Sequence, residues 1–258
     1  MRFVFVDDAG TSIRDPKIVV SAIVVQAEEQ LIRLENRMTR LIQKHIPAEE
    51  RSSFSFEARD ILSGSGHFDD REKWPVERRM AIMDELATVP TEMEIPILFG
   101  LADRRKHQWM DVAENTEMDV LRIALHAMAF VSCAFAVERT MRSAYSDEIA
   151  QLIAQDTHDA QLLIRYVHDW YQNPIALERL GSGRSLLPLT HIKPEVQFAE
   201  KAASLPLQLA SFCSFIIGGK FIGNEGIDEL YRKIAPVLIA DAKHDWRPAR
   251  SLGLAQET

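Results

Sequence analysis

The sequence predicts one α/β domain built on a mixed β-sheet, opening with an antiparallel hairpin and carrying helices on both faces. Three observations lead there. Two strand-like runs at the start, Arg2–Asp7 and Lys17–Val25, are joined by too few residues to hold a crossover helix, so they must pair antiparallel. Runs with helical periodicity then alternate with further strand-like runs along the chain, the pattern of helices laid on a sheet. Finally, 258 residues with 47% hydrophobic and 26% charged side chains make a globule of ordinary composition. A chain of that size buries about three quarters of its unfolded surface, so neither a disulfide nor a metal is required to hold it together.

Arg2–Asp7 is β-branched and aromatic and runs into turn residues through Ser12. From Glu28 to about His45, Leu31, Leu34, Met38, Leu41 and Ile42 fall at helical spacing, and Pro47 stops the helix. Ser52–Phe56 reads as a short strand leading into Glu57–Ile61, and Ser63–Asp70 as a loop. Pro75 suits a first helical turn, continued by Val76–Leu86. Glu94–Leu101 reads as a strand whose Pro96 marks an edge or a start. Asn115–Tyr145 is a long helix, apolar nearly all round between Ala124 and Val137, hence central and buried. Glu148–Gln155 reads as a strand, with its alanines leaving a helix open. His158–Trp170 reads as a helix ended by Asn173-Pro174, and Leu186–Phe198 as a last strand broken at Pro194. An apolar helix over Ala203–Phe221 and a short one within Gly223–Leu238 follow, and 244–258 is a polar, loose tail.

The two cysteines, Cys133 and Cys213, fall in apolar helical runs and are expected as buried free thiols, which suits a reducing, cytoplasmic setting. The longest uncharged stretches, Ile123–Val137 and Leu205–Gly219, are shorter than the roughly 20 residues of a membrane span. The N-terminus meets two acids straight after Val6, too soon for a secretory signal, so no membrane partner is expected. A net charge of −8 argues against nucleic-acid binding through overall basicity, while leaving room for a basic rim around an acidic, metal-filled pocket. Oligomeric state is open.

The chemistry is carried by acids at the ends of strands. Asp7 shares a face with Phe3 and Phe5, so its carboxylate is part-buried among apolar neighbours and calls for a balancing positive charge. Asp8 points the other way while the strand stays extended. Glu57 and Asp60 follow Ser52–Phe56 and share a helical face, Asp156 closes Glu148–Gln155, and Glu200 follows the last strand. Acids from separate elements meeting at one sheet end suit a hard divalent cation, Mg²⁺ or Mn²⁺, and phosphodiester hydrolysis by a metal-bound water. The bland reading stands beside this one, because an acid near a strand end also serves as a cap or turn residue. A phosphorelay receiver is excluded by the strand, rather than helix, that follows the acidic pair.

Four segments, in order, resemble a known family. Val6-Asp7-Asp8-Ala9-Gly10 is similar to the Asp-Glu-Ser-Gly that ends the first strand of the prokaryotic family called domain of unknown function 3800. Phe56-Glu57-Ala58-Arg59-Asp60-Ile61 resembles its His-Ala-Lys-Asp-Ile segment, Phe198-Ala199-Glu200-Lys201 its Phe-Val-Asp-Ser stretch, and Leu207-Gln208-Leu209-Ala210-Ser211 its Leu-Gln-Leu-Ala-Asp. The resemblance implies an RNase H-like fold and a metal-dependent nuclease, with Asp7, Asp60 and Glu200 as catalytic acids. On the same reading Asp7, Asp8, Glu57, Asp60, Asp156 and Glu200 are the candidate metal ligands, Asp156 by position alone. The departures are Glu57 for His, Glu200 for Asp and Ser211 for Asp, the last replacing a carboxylate with a neutral hydroxyl.

Arg104 and Arg105, in the basic cluster Arg104–His107 after a strand, and Lys201 are the candidate phosphate contacts. Gln208 is a candidate backbone clamp beside the site. The histidines show no ligand spacing, and no phosphate-binding glycine loop or nucleophile elbow is present. The expected function is a Mg²⁺- or Mn²⁺-dependent nuclease; the alternative is a module of the same fold, weakened at Ser211, that binds a protein or nucleic acid without cleaving it.

Overall fold

Strand alternation decides how the first elements pack. In the computed structural model, which describes residues 1–12, 15–105, 118–156 and 189–239 together with 161, 164 and 168, β1 (Arg2–Ala9) pairs antiparallel with β2 (Lys17–Gln26). The register sets Phe5 opposite Ile23 and Asp7 opposite Ser21. At the hairpin, Gly10 has a positive φ of 78°, and a Cβ there would lie 2.1 Å from the Lys17 carbonyl oxygen, so only glycine closes this turn.

β3 (Ile97–Asp103) adds antiparallel to β2, while β4 (Ala150–Gln155) and β5 (Gln197–Ala199) continue parallel from β1. The order is β3-β2-β1-β4-β5 in one mixed sheet. Because β2 alone runs against the others, the carboxyl ends of β1, β3, β4 and β5 share one edge.

One face, carrying Phe5, Val19, Ile23 and Val25, packs into a core with α1 (Gln30–His45), α3 (Val76–Glu92), α5 (Leu205–Ile222) and α6 (Asp228–Ile234). α1 meets it through Leu34, Met38 and Leu41, spaced for one helical face. α5 starts at Ser204, whose hydroxyl accepts from the Leu207 N–H, and ends at the left-handed Gly223. The other face, carrying Val4, Val6, Ile18 and Val20, is covered by α4 (Met118–Ala144). Gly100 lets α4 sit directly on β3: a Cβ there would be 2.0 Å from the Ala129 carbonyl oxygen.

Helices therefore cover both faces, as expected. α4 and α5 are long and apolar enough to cross a membrane by length and composition, and here each lies on one face of the sheet, mostly buried. Cys133 and Cys213 are buried free thiols, each pushed up to about 12 by burial.

Two expected elements differ. Ser52–Phe56 is not a strand: Ala48–Ser53 forms a 3₁₀ turn after Pro47, and Arg51 bonds the Ile46 and Gln43 carbonyl oxygens, completing the end of α1. Phe54 and Phe56 then bury in an aromatic cluster with Phe68 and Trp74. Phe56 N–H donates to the Gln208 side chain rather than to a neighbouring strand. Among the described residues of Leu186–Phe198, which begin at Leu189, the strand is Gln197–Ala199, with one isolated bridge from Ile192 to Ala150. Pro194 lacks the N–H that a continuous ladder needs.

What holds the stretch before that strand is Glu138 of α4, fully buried and accepting from Arg142 Nε at 2.6 Å, Thr190 N at 2.9 Å and His191 N at 3.1 Å. Burial raises its pKa, but these donors outweigh burial and hold the carboxyl below its ordinary value. The helix expected over His158–Trp170 and the tail 244–258 lie outside the described residues, apart from 161, 164 and 168.

Candidate active site

The shared carboxyl edge is where open α/β sheets bind ligands. There β1 carries Asp7-Asp8 ahead of its last residue, Ala9, beside Gln155 and Asp156 at the end of its parallel neighbour β4. Strand alternation separates the two acids. Asp7 faces α5 and is 4% exposed; Asp8 is half-buried on the α4 side, its Oδ1 3.4 Å from His126 Nε2. A cavity of about 10 Å³, lined by Val6, Asp7, Asp8, His126, Phe130 and Gln155 among others, lies on the α4 side and has room for roughly one water.

The main chain at Asp7 is fixed from behind. Ser214 of α5 donates to the Asp7 carbonyl oxygen at 2.7 Å, and its hydroxyl lies 2.7 Å from that of Ser21 on β2. Ser21 also lies 3.2 Å from the Ala210 carbonyl oxygen. This buried hydroxyl chain ties β1, β2 and α5 together at the residue that carries the site.

Asp7 is electrostatically under-compensated. Burial, followed by the charge of Asp8, pushes its carboxyl up from 3.8 to about 7, against the opposing effects of the Ser211 hydroxyl and the Lys201 ammonium. Lys201 reaches in from a 3₁₀ turn (Lys201–Ala203) just before α5. Its Nζ donates to Glu57 Oε2 at 2.9 Å and to Ser211 Oγ at 3.4 Å. Gln208 clamps the turn: its Nε2 donates to the Lys201 and Ala202 carbonyl oxygens, both at 3.1 Å, while its Oε1 accepts from Phe56 N–H. One glutamine thus ties the segment bearing Glu57 to the segment bearing Lys201.

The structure brings Asp7, Glu57, Lys201 and Ser211 together on the α5 side, with Asp8 across the strand. The other expected residues go elsewhere. Asp60, in α2 (Ala58–Ser63), accepts from Ser65 Oγ at 2.9 Å and backs against Gly66, so its carboxylate braces the turn that ends α2. Asp156 bonds the Gln161 amide, and its N–H donates to the Ala199 carbonyl oxygen at 2.9 Å. Glu200 is exposed and starts the turn that holds Lys201.

Arg104 and Arg105 follow β3 on the same edge, about 10 Å from β1 by strand spacing. Arg105 is exposed and pairs with Asp103 at 3.4 Å; Arg104 Nη2 bonds the Ser12 carbonyl oxygen at 3.4 Å. Lys201, expected as a phosphate contact, is engaged by Glu57.

Among the described residues, no group of three or more His, Cys, Asp or Glu side chains stands close enough together to hold a metal ion. His126, Ser214 and Ser21 were not expected at the site. The signal for the first two was a polar side chain inside an otherwise apolar helix, at the level of a strand end. Comparison with protein-family models, with curated proteins and with solved structures found no match to this chain.

Proposed function

We propose that the protein is a divalent-metal-dependent phosphodiesterase acting on nucleic acid, with Asp7 as the residue that holds Mg²⁺ or Mn²⁺. The observation that carries this reading is a buried carboxylate at the carboxyl end of the central strand, raised to about 7 because its surroundings leave its charge under-compensated. A structural acid in that position costs stability with no return; one that receives a cation does not. A sheet opening on an antiparallel hairpin is also what the RNase H-like resemblance leads one to expect.

A bound divalent ion supplies an activated water and a charge to offset the leaving oxygen. The chain's own part is to hold Asp7 rigid through Ser214, to present Asp8 and His126 across the strand, and to offer Arg104 and Arg105 to phosphates along the same edge. Cleavage of labelled DNA and RNA in Mn²⁺, by the wild type and by Asp7→Asn, tests the reading. Cleavage that Asp7→Asn abolishes supports it; equal cleavage by the two proteins, or none on either nucleic acid, overturns it.

Two observations favour a second reading. Ser211 stands where the resembling family has Asp, and the Lys201 ammonium, bonded to Glu57 and Ser211, lends positive charge to the surroundings of Asp7. Both suit a module that binds a protein or nucleic acid without cleavage.

A further inference from the structure

Two guanidinium groups meet at the corner between α2 and α3. Gly64 closes α2 in the left-handed region, with φ 66°. The Cζ atoms of Arg71 and Arg79 both lie 2.7 Å from the point that a Cβ of Gly64 would occupy, so the two groups are neighbours, at most twice that distance apart. Arg79 is 3% exposed. Its Nε donates to the Trp74 carbonyl oxygen at 3.2 Å, and its Nη1 to those of Ile61 and Leu62 at 2.6 and 2.8 Å. All three acceptors are neutral, so the buried charge is solvated by dipoles and not cancelled. Arg71 is exposed, and its Nη1 fills the space over Gly64. Among the described residues no carboxylate forms an ion pair with either guanidinium. Two acids that shape this corner are engaged elsewhere: Asp60 accepts from Ser65 Oγ at 2.9 Å, and Asp70 Oδ1 from the Glu72 and Lys73 N–H groups at 3.1 and 3.0 Å.

Like charges side by side, one of them withdrawn from water, repel each other, and an anion bridging them relieves the repulsion. Phosphate suits the pair in charge and in shape, because a guanidinium offers planar paired donors to its oxygens. We propose that the Arg71–Arg79 pair over Gly64 is a phosphate-binding site, and that the phosphate it takes belongs to the backbone of a bound nucleic acid. Arg79 is the fixed half of the site, pinned by three carbonyls; Arg71 is the arm that closes on the ligand. The run from Glu57 to Gly64 follows α2 and spans roughly 10 Å by helical rise, about three nucleotide steps along a strand. Glu57 holds Lys201 at the Asp7 site, so one strand can reach from there to the arginine pair. The backbone as source of the phosphate rests on the nucleic-acid reading above; the phosphate site itself rests on the two arginines.

The test is binding of fluorescently labelled single-stranded DNA and RNA in EDTA, read by anisotropy over a series of salt concentrations. Three proteins are compared: the wild type, Arg71→Met, and Arg232→Met, which makes the same charge change at an exposed position on α6. Arg71→Met is expected to bind about tenfold more weakly at low salt, with the salt slope lowered by about one, the signature of one lost phosphate contact. Arg232→Met should match the wild type. In parallel, inorganic phosphate at constant ionic strength should raise the unfolding midpoint of the wild type and leave that of Arg71→Met unchanged.

Arg71 is exposed, so its replacement leaves the fold intact, and matching circular dichroism of the three proteins checks this. Nucleic-acid binding that is equal in the wild type and Arg71→Met, or weakened as much by Arg232→Met, overturns the site while leaving the nucleic-acid reading in place. Absence of DNA and RNA binding in the wild type overturns that reading and the backbone as source. The phosphate arm then decides the site: stabilisation by inorganic phosphate that Arg71→Met loses supports it, with a free phosphate group as ligand, and no stabilisation of the wild type overturns it.

Discussion

Replacing Asp7 by Asn asks directly whether the buried carboxylate is a burden on the fold. Its pKa is about 7 in the native state against an ordinary 3.8, a gap of about 3 pKa units, which corresponds to about 4 kcal/mol at 1.36 kcal/mol per unit. The sign follows from proton counts. Between those two values the native state holds the proton more tightly than the unfolded chain, so stability from this group falls as pH rises. The cost is absent below 3.8, grows through the interval, and is complete above about 7.

By linkage, about 2–3 kcal/mol of that cost develops between pH 5 and pH 8.5. Asn is nearly isosteric, can still bond Ser211, and carries no charge at either pH. Urea unfolding of the wild type and Asp7→Asn in EDTA, at both pH values, reads the effect. The variant is expected to be the more stable protein at pH 8.5, with an advantage that shrinks by about 2–3 kcal/mol at pH 5. An advantage that does not change with pH, or a variant less stable than wild type at pH 8.5, refutes the electrostatic account of Asp7.

Other variants probe the frame around the site. Glu138→Ala removes the acceptor of the Thr190 and His191 N–H groups and of Arg142 Nε, and should cost about 3 kcal/mol, with amide exchange in 189–192 rising first. Because its carboxyl is held below 4.5, the stabilisation from Glu138 should persist above that pH and be lost on further acidification. Gly100→Ala forces a methyl group against the Ala129 carbonyl, and should lower the unfolding midpoint by an amount equivalent to about 1–3 kcal/mol. Asp60→Asn, whose carboxylate faces Ser65 rather than Asp7, should leave Mn²⁺ binding at the wild-type level; a loss comparable to that of Asp7→Asn would show that Asp60 turns into the site when metal binds.

Much of the frame is legible in the sequence, because buried faces impose periods. The two-residue period of β1 predicts that Asp7 and Asp8 part to opposite faces, and they do, one toward α5 and the other toward His126 on α4. The spacing of Leu34, Met38 and Leu41 fixes α1 in the same way. Ser52–Phe56 misleads because alternating serine and phenylalanine imitates a half-buried strand. What decides its structure is a glutamine some 150 positions further along the chain, which satisfies the Phe56 N–H, and an aromatic cluster that needs both rings.

The site is less legible for a similar reason. Glu57 and Lys201 are 144 positions apart, and neither lies in a pattern that reveals its partner. Sequence spacing made Glu57 and Asp60 neighbours on one helical face, yet Glu57, just before α2, turns its carboxylate to Lys201 while Asp60 braces the turn at the end of α2. The polar residues that fix Asp7 from behind, Ser21 and Ser214, are single small side chains within apolar runs, and their meaning emerges only when α5 is laid across β1 and β2.

Calorimetric titration of Mn²⁺ into the wild type and Asp7→Asn tests the central claim most directly, since it requires no knowledge of the substrate. Saturable binding by the wild type to a single site, abolished in Asp7→Asn, is the predicted result. Binding of equal strength in both proteins would place the metal elsewhere and contradict the account.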